Sequence, residues 1–230
     1  MKDGKAPIIE FDRVSFHYEP GRSLFDQVSP SLPAGGFVLV RGPSGSGKST
    51  LLRLINRLEE PEAGEIRFKG RPLGDYPAPR LRRSLLYIQQ TPVAVDAPVR
   101  DNLLLPFAFK SNRDLSRPDD GRLRELMDEF LLTGVGLDDA AQTLSVGQLQ
   151  RMCLIRGLLL EPEVLLLDEP TSALDRESSR LVEAAAERLN QEAGLTVVMV
   201  SHKDFEPRTV RPVVLEVGGG RIEERTWAWK

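Results

Sequence analysis

Cysteine is nearly absent. Cys153 stands alone in 230 residues, which excludes an internal disulfide framework and any zinc cluster built on several cysteines, and points to a reducing compartment. Because it sits in an apolar helical pattern, Cys153 reads as a small buried hydrophobe rather than a reactive thiol. Long hydrophobic runs are missing as well: no stretch approaches the roughly eighteen unbroken apolar residues of a membrane span. The N-terminus, MKDGKAPIIEFDRVSF, alternates like a strand and shows no apolar core before a small-residue cleavage site, so a secreted protein is not expected. Excess charge of one sign is also lacking. Lys and Arg total 31 against 34 Asp and Glu, a net charge of −3, and this balance carries no electrostatic footprint for nucleic acid or an anionic membrane. There is no internal repeat, low-complexity tract or long linker. What is left is a chain of the length of one large domain, or of one core with an inserted subdomain.

What is present centres on Phe37 to Leu52, FVLVRGPSGSGKSTLL, where an apolar run breaks into a glycine-rich loop that leads into a helical pattern. Gly42, Gly47, Lys48 and Ser49 match G-x-x-x-x-G-K-[ST], the pattern of a phosphate-binding loop. Gly42, Gly45 and Gly47 let the backbone turn tightly with its N–H groups aimed inward; Lys48 can reach outer phosphates, and the Ser49 hydroxyl can ligate Mg²⁺. The helix that begins here adds its positive end, and Leu51, Leu54, Ile55 and Leu58 give it the spacing of a buried face. With a surface nearly neutral overall, nucleotide has to be held by this local geometry.

Ile8 to Tyr18 and Ser23 to Leu32 alternate around a Pro20–Gly21 turn and predict an antiparallel pair, with Glu65 to Phe68 a further strand of the same partly exposed sheet. Phe37 to Val40, Leu85 to Ile88, Val164 to Leu167, Thr196 to Val200 and Val213 to Val217 are apolar without alternation, the pattern of parallel strands covered on both faces. Helices are expected between Gln90 and Glu161. One carries the stripe Leu123, Leu126, Met127 and Phe130 and stops at Gly134; another carries Leu149, Met152, Ile155 and Leu159 and stops before Pro162. A last helix, Arg176 to Ala193, ends at Gly194.

VLLLDE puts Asp168 and Glu169 at the carboxyl end of a buried strand, the edge at which open α/β sheets bind ligands. Asp168 is the expected partner of Ser49 in holding Mg²⁺, which leaves Glu169 to polarise a water. In LSVGQ, Ser145 occupies the N-cap position of the helix carrying Leu149.

Taken in order, GPSGSGKST, LSVGQ, LLLDEP, SALD and SHK resemble the motifs of ATP-binding-cassette (ABC) ATPases, and the resemblance covers nearly the whole chain. It implies an α/β fold: a P-loop NTPase core of RecA/F1-like type with a mostly parallel sheet, an N-terminal antiparallel β subdomain and an inserted helical subdomain. Residues 1–90 and 160–230 would form the core with its β subdomain, and residues 91–159 the helical part. The resemblance also implies that Gly42, Pro43, Ser44, Gly45, Ser46, Gly47, Lys48, Ser49 and Thr50 hold ATP with Mg²⁺, that Tyr18 stacks on adenine, and that His202 contacts the γ-phosphate. A glutamine touches the metal and links the site to a membrane partner; Gln89 and Gln90 both stand near that position, and Gln90 keeps the family's spacing from Tyr87 and Ile88. Two such domains face head to tail, so that Ser145, Gly147 and Gln148 close over the ATP of the facing copy and Asp175 lies at the interface. Separate transmembrane subunits dock near Leu103 to Phe109, which places the chain on the cytoplasmic face of a membrane.

The sequence departs from the family at Val146, where the signature has its first glycine, and at Gly36, where an acidic residue is common. An ABC-type ATPase acting on nucleic acid or the ribosome, or a nonhydrolysing switch, is the alternative. QTP and DNLLLPF resemble small ATPases of metal-export type, and phosphate-import ATPases are similar too. His17 is read as structural, and the tail with Trp227 and Trp229 has no assigned role.

Overall fold

Alternation along Ile8 to Phe16 asks for a strand with one face buried, and β1 (Pro7–His17) buries Ile9, Phe11, Val14 and Phe16. The structure, a computed structural model, describes residues 6–19, 23–201, 205–225 and 227; the Pro20–Gly21 turn, His202 and Trp229 lie outside the described residues. β1 is the hub of an antiparallel sheet with β2 (Ser23–Val28), β3 (Ser31–Pro33) and β5 (Ala63–Phe68), and β6 (Arg71–Pro72) extends it beyond β5. Ile9 lies between Leu32 and Phe68, so the apolar face is continuous across three strands. The single strand expected from Ser23 to Leu32 is in fact two. Pro30 has no N–H for a ladder, and its carbonyl accepts instead from Phe11 N–H at 3.0 Å before the chain resumes as β3.

The second sheet has the order β11-β10-β4-β9-β8-β7, formed by β4 (Phe37–Arg41), β7 (Leu85–Ile88), β8 (Val164–Asp168), β9 (Thr196–Val200), β10 (Val213–Gly218) and β11 (Arg221–Arg225). The pairings from β10 through β4, β9 and β8 to β7 are all parallel. Every residue of β8 and β9 is buried, as expected from runs with no alternation. β11 is a strand that the sequence did not announce: four of its five residues are charged, and it is paired antiparallel to β10 on one side only, at the sheet edge.

Because successive strand residues point to opposite faces, this sheet feeds two cores. Val38, Val40, Leu166 and Val198 join Ile9, Phe25, Leu51 and Leu54 on the side of the antiparallel sheet. Phe37, Leu39, Leu165 and Val197 join Leu123, Phe130, Met152, Ile155 and Ala186 on the other.

The helices are α1 (Lys48–Ile55), α2 (Ala78–Ser84), α3 (Val99–Leu104), α4 (Asp120–Glu129), α5 (Val146–Leu158) and α6 (Arg176–Ala193). α6 has the expected bounds: Asp175 caps its start and Gly194, at φ 64°, its end. Leu58 departs from expectation. α1 ends at Ile55, where the buried Asn56 amide donates to the Leu85 carbonyl and turns the chain, leaving Leu58 47% exposed. No described helix is long and apolar enough to cross a membrane.

Gln90 and α3 are joined by a segment of irregular backbone, whose polar groups still need partners. Asn102, fully buried, supplies them. Its Nδ2 donates to the carbonyls of Val95, Ala97 and Pro98 at 3.1 Å each, and its Oδ1 accepts from Val95 N–H at 2.9 Å. Asn102→Ala is expected to lower the unfolding free energy by about 3 kcal/mol, read from urea melts, because several buried groups lose a partner at once.

Candidate active site

The loop after β4 is shaped by what cannot fit there. At Gly42 φ is +148°, and a Cβ would lie 2.1 Å from the Val217 carbonyl oxygen, so any side chain would strike the backbone of β10. Lys48 is nearly buried. Its Nζ donates to the carbonyls of Gly42 (3.2 Å) and Pro43 (3.1 Å) and lies 3.9 Å from Glu169 Oε1. Ser46 Oγ is buried without a hydrogen-bond partner, an orphaned donor inside the loop.

The loop floors a cleft of about 590 Å³ lined by Tyr18, Ser44, Gly45, Gly47, Lys48, Ser49, Thr50, Gln90 and Glu169, together with Glu19 and Leu24. That volume suits a nucleotide-sized ligand. Tyr18 stands exposed at the rim, its ring edge-on to Phe16 at 4.9 Å and its hydroxyl 3.1 Å from Thr50 Oγ1. Gln90 lines the cleft and Gln89 does not: Gln90 Nε2 donates to Glu169 Oε2 at 3.3 Å and to Ser172 Oγ at 3.1 Å.

Asp168 does not line the cleft itself but is joined to it through Ser49. It is 4% exposed, and Ser49 Oγ donates to its Oδ1 at 2.8 Å while Tyr87 donates to its Oδ2 at 2.6 Å. Burial first, then the adjacent carboxylate, pushes the Tyr87 hydroxyl up to about 12. Hydrogen bonding to Tyr87 and Tyr18 raises Arg53, which lies against both hydroxyls, above its usual value. Sequence reasoning used Tyr87 only as a spacing mark, and the one sign of more was a hydroxyl in the otherwise apolar run LLYI. Glu169 follows at φ 45°, a strained conformation for a side-chain-bearing residue, with its N–H donating to the Val200 carbonyl at 3.2 Å.

Among the described residues no cluster of three or more His, Cys, Asp or Glu could hold a metal by itself. A hydroxyl and one buried carboxylate facing each other are instead the donor set of a Mg²⁺ that takes its remaining ligands from phosphates and water. The residues present therefore fit Mg²⁺ with a nucleoside triphosphate.

Ser145, Gly147, Gln148 and Asp175 do not line this cleft. Ser145 caps α5 in a reciprocal arrangement: its Oγ accepts from Gln148 N–H at 3.3 Å, and Gln148 Oε1 accepts from Ser145 N–H at 2.9 Å. A Cβ on Gly147 would come 2.8 Å from Ser178 Oγ, so glycine lets the first turns of α5 and α6 touch. Asp175 accepts from Ser178 N–H, Ser178 Oγ and Glu177 N–H, which together hold its carboxyl below the ordinary range. Val146, where the family has glycine, is 49% exposed beside the cap. His17 pairs with Glu62 through Nδ1 at 2.6 Å. Cys153 is buried, and burial raises its thiol above the usual value.

In the segment expected to receive a partner, Leu103, Leu104 and Pro106 are buried. Phe109, at the end of that segment, is 56% exposed.

A family model described as ABC transporter matches residues 25–172, well over half the chain. The chain belongs to the ABC transporter family. It carries the ATPase domain of that family, in the α/β fold expected of it. It is 32% identical over 220 residues to the probable iron export ATP-binding protein FetA of Escherichia coli (strain K12), covering 95% of this chain and 96% of that one. It spans 16%, 58% and 36% of three longer curated relatives. Among solved structures, the dimeric ATP-binding cassette MJ0796 bound to ADP and Pi in a post-hydrolysis state superposes with a TM-score of 0.78 at 25% identity, over 96% of this ABC domain and 100% of that chain.

Proposed function

We propose that the chain is the ATP-hydrolysing subunit of an ABC transporter and works as a head-to-tail pair around ATP, driving separate transmembrane subunits from the cytoplasmic face of the membrane. The observation that carries this is the convergence, in one cleft, of Lys48, Ser49 and Glu169, with Asp168 bonded to Ser49 from behind the lining and Glu169 lying 3.9 Å from the Lys48 ammonium. In the working site the loop N–H groups and Lys48 hold the outer phosphates, and the face of the Tyr18 ring supports the base. Glu169 orients the attacking water and takes its proton, with Gln90 reporting on the same carboxylate. Ser49, Asp168 and Gln90 would hold Mg²⁺, which would supply positive charge against the outer phosphates.

Ser145, Gly147 and Gln148 serve the facing copy's ATP, and Asp175 sits at the joint. What supports this is that the capped, exposed start of α5 lies outside the chain's own cleft, with its N–H dipole available to a phosphate from elsewhere. His202 is assigned to the γ-phosphate on the motif alone. The division into a core (1–90 and 160–230) and a helical part (91–159) belongs to the same reading, as does docking of the membrane partner near Leu103 to Phe109, where Phe109 is exposed. The match to FetA over nearly the full length of both chains supports the export type.

The test is complementation. Lys48→Ala and Ser145→Arg chains are each expected to be inactive alone. Mixed in equal amounts they should recover about a quarter of wild-type hydrolysis, since half the pairs are mixed and each mixed pair holds one intact composite site. If every site were built within one chain, the mixture would stay as inactive as its components.

A further inference from the structure

We infer that Tyr87 is a positioning residue for the metal half of the site, its hydroxyl fixing the plane of the Asp168 carboxylate toward Ser49. The terminal torsion of an aspartate is broad, with no sharp preference of its own, so a carboxylate that must face a cation needs anchors on both oxygens. Asp168 has them. Oδ1 takes the Ser49 hydroxyl at 2.8 Å, and Oδ2 takes the Tyr87 hydroxyl at 2.6 Å. The two anchors differ in kind: Ser49 stands in the phosphate cleft and belongs to the metal's own donor set, whereas Tyr87 reaches Asp168 from β7 and does not line that cleft.

β7 and β8 pair in parallel with Tyr87 opposite Leu166, which sets the ring alongside the end of β8, where Asp168 sits. An ionised carboxylate only accepts, so the tyrosine donates. Asp168 is 4% exposed, and water cannot readily replace a donor lost there. Removing the hydroxyl leaves Oδ2 without its partner and the plane held from one side only. The cost falls on the geometry that Mg²⁺ requires, not on the phosphate grip of the loop.

This rests on Asp168 serving the metal, and the experiment separates the two claims. Binding of a nonhydrolysable ATP analogue is measured by calorimetry across a Mg²⁺ series and in EDTA, with folding checked by thermal melts. Tyr87→Phe keeps the ring and is expected to raise the half-saturating Mg²⁺ about tenfold, the worth of one charge-assisted hydrogen bond, while affinity in EDTA stays within about twofold. Tyr87→Met, the second variant should the first fold poorly, is expected to shift it likewise. Adding Tyr87→Phe to Asp168→Asn should produce no further shift. An unchanged Mg²⁺ requirement in Tyr87→Phe, an equal loss in EDTA, or additivity with Asp168→Asn overturns the role of Tyr87. A wild-type Mg²⁺ requirement in Asp168→Asn overturns the metal reading of Asp168, and this proposal falls with it.

Discussion

Replacing Glu169 by glutamine is expected to leave ATP affinity within about twofold of wild type while lowering turnover about a thousandfold, within the range a positioned general base supplies. Glutamine has the same shape and the same tolerance for the strained φ of 45° at this position, so the fold and the loop before it should be undisturbed. It cannot accept a proton. The carboxylate sits 3.9 Å from the Lys48 ammonium and takes the Gln90 amide at 3.3 Å. Neutralising it removes a negative charge from beside the phosphates without removing any donor to them. Binding therefore survives and the chemical step does not. Because hydrolysis no longer empties the pocket, the variant should accumulate as an ATP-bound pair. Phosphate release and light scattering read the two halves of this expectation, and hydrolysis at the wild-type rate would remove Glu169 from its assigned role.

What the sequence disclosed and what it withheld divide along the range of the interactions involved. Signals carried by neighbouring residues were legible: the buried strands from their unbroken apolar runs, the end of α6 from its glycine at 194, and the phosphate loop from its spacing. The Ser145 cap was legible too, since the serine directly precedes the apolar stripe that begins at Leu149. Leu58 failed because the end of α1 is set from outside, by Asn56 bonding to Leu85 at the start of β7. β11 failed because an edge strand has one unpaired side and little need of apolar residues. Tyr87 failed for the plainest reason. Its partner lies 81 residues away, and no local pattern marks a hydroxyl that will meet a carboxylate on the adjoining strand. Gln90 could be preferred to Gln89 only by spacing. The distinction becomes physical once Gln90 alone reaches the cleft and the Glu169 carboxylate.

Lys48→Ala is expected to act on the opposite half of the reaction. Calorimetry should show ATP affinity falling about a hundredfold, or about 2.7 kcal/mol, and the ATP-bound pair should disappear. The carbonyls of Gly42 and Pro43 take the ammonium at 3.2 and 3.1 Å, so the loop itself orders the side chain. Binding exchanges two neutral acceptors for charged oxygens, so hydrogen bonds that one charge already assists gain the attraction of an opposite charge. Little side-chain entropy has to be lost at that moment, because the side chain is only 10% exposed and already fixed. Lys48→Arg separates charge from geometry. The guanidinium keeps the charge, but as a planar fork it does not reproduce the compact ammonium between two carbonyls, and it is expected to recover only part of the affinity. ATP affinity equal to wild type in Lys48→Ala would mean that the backbone N–H groups and the α1 terminus hold the phosphates unaided.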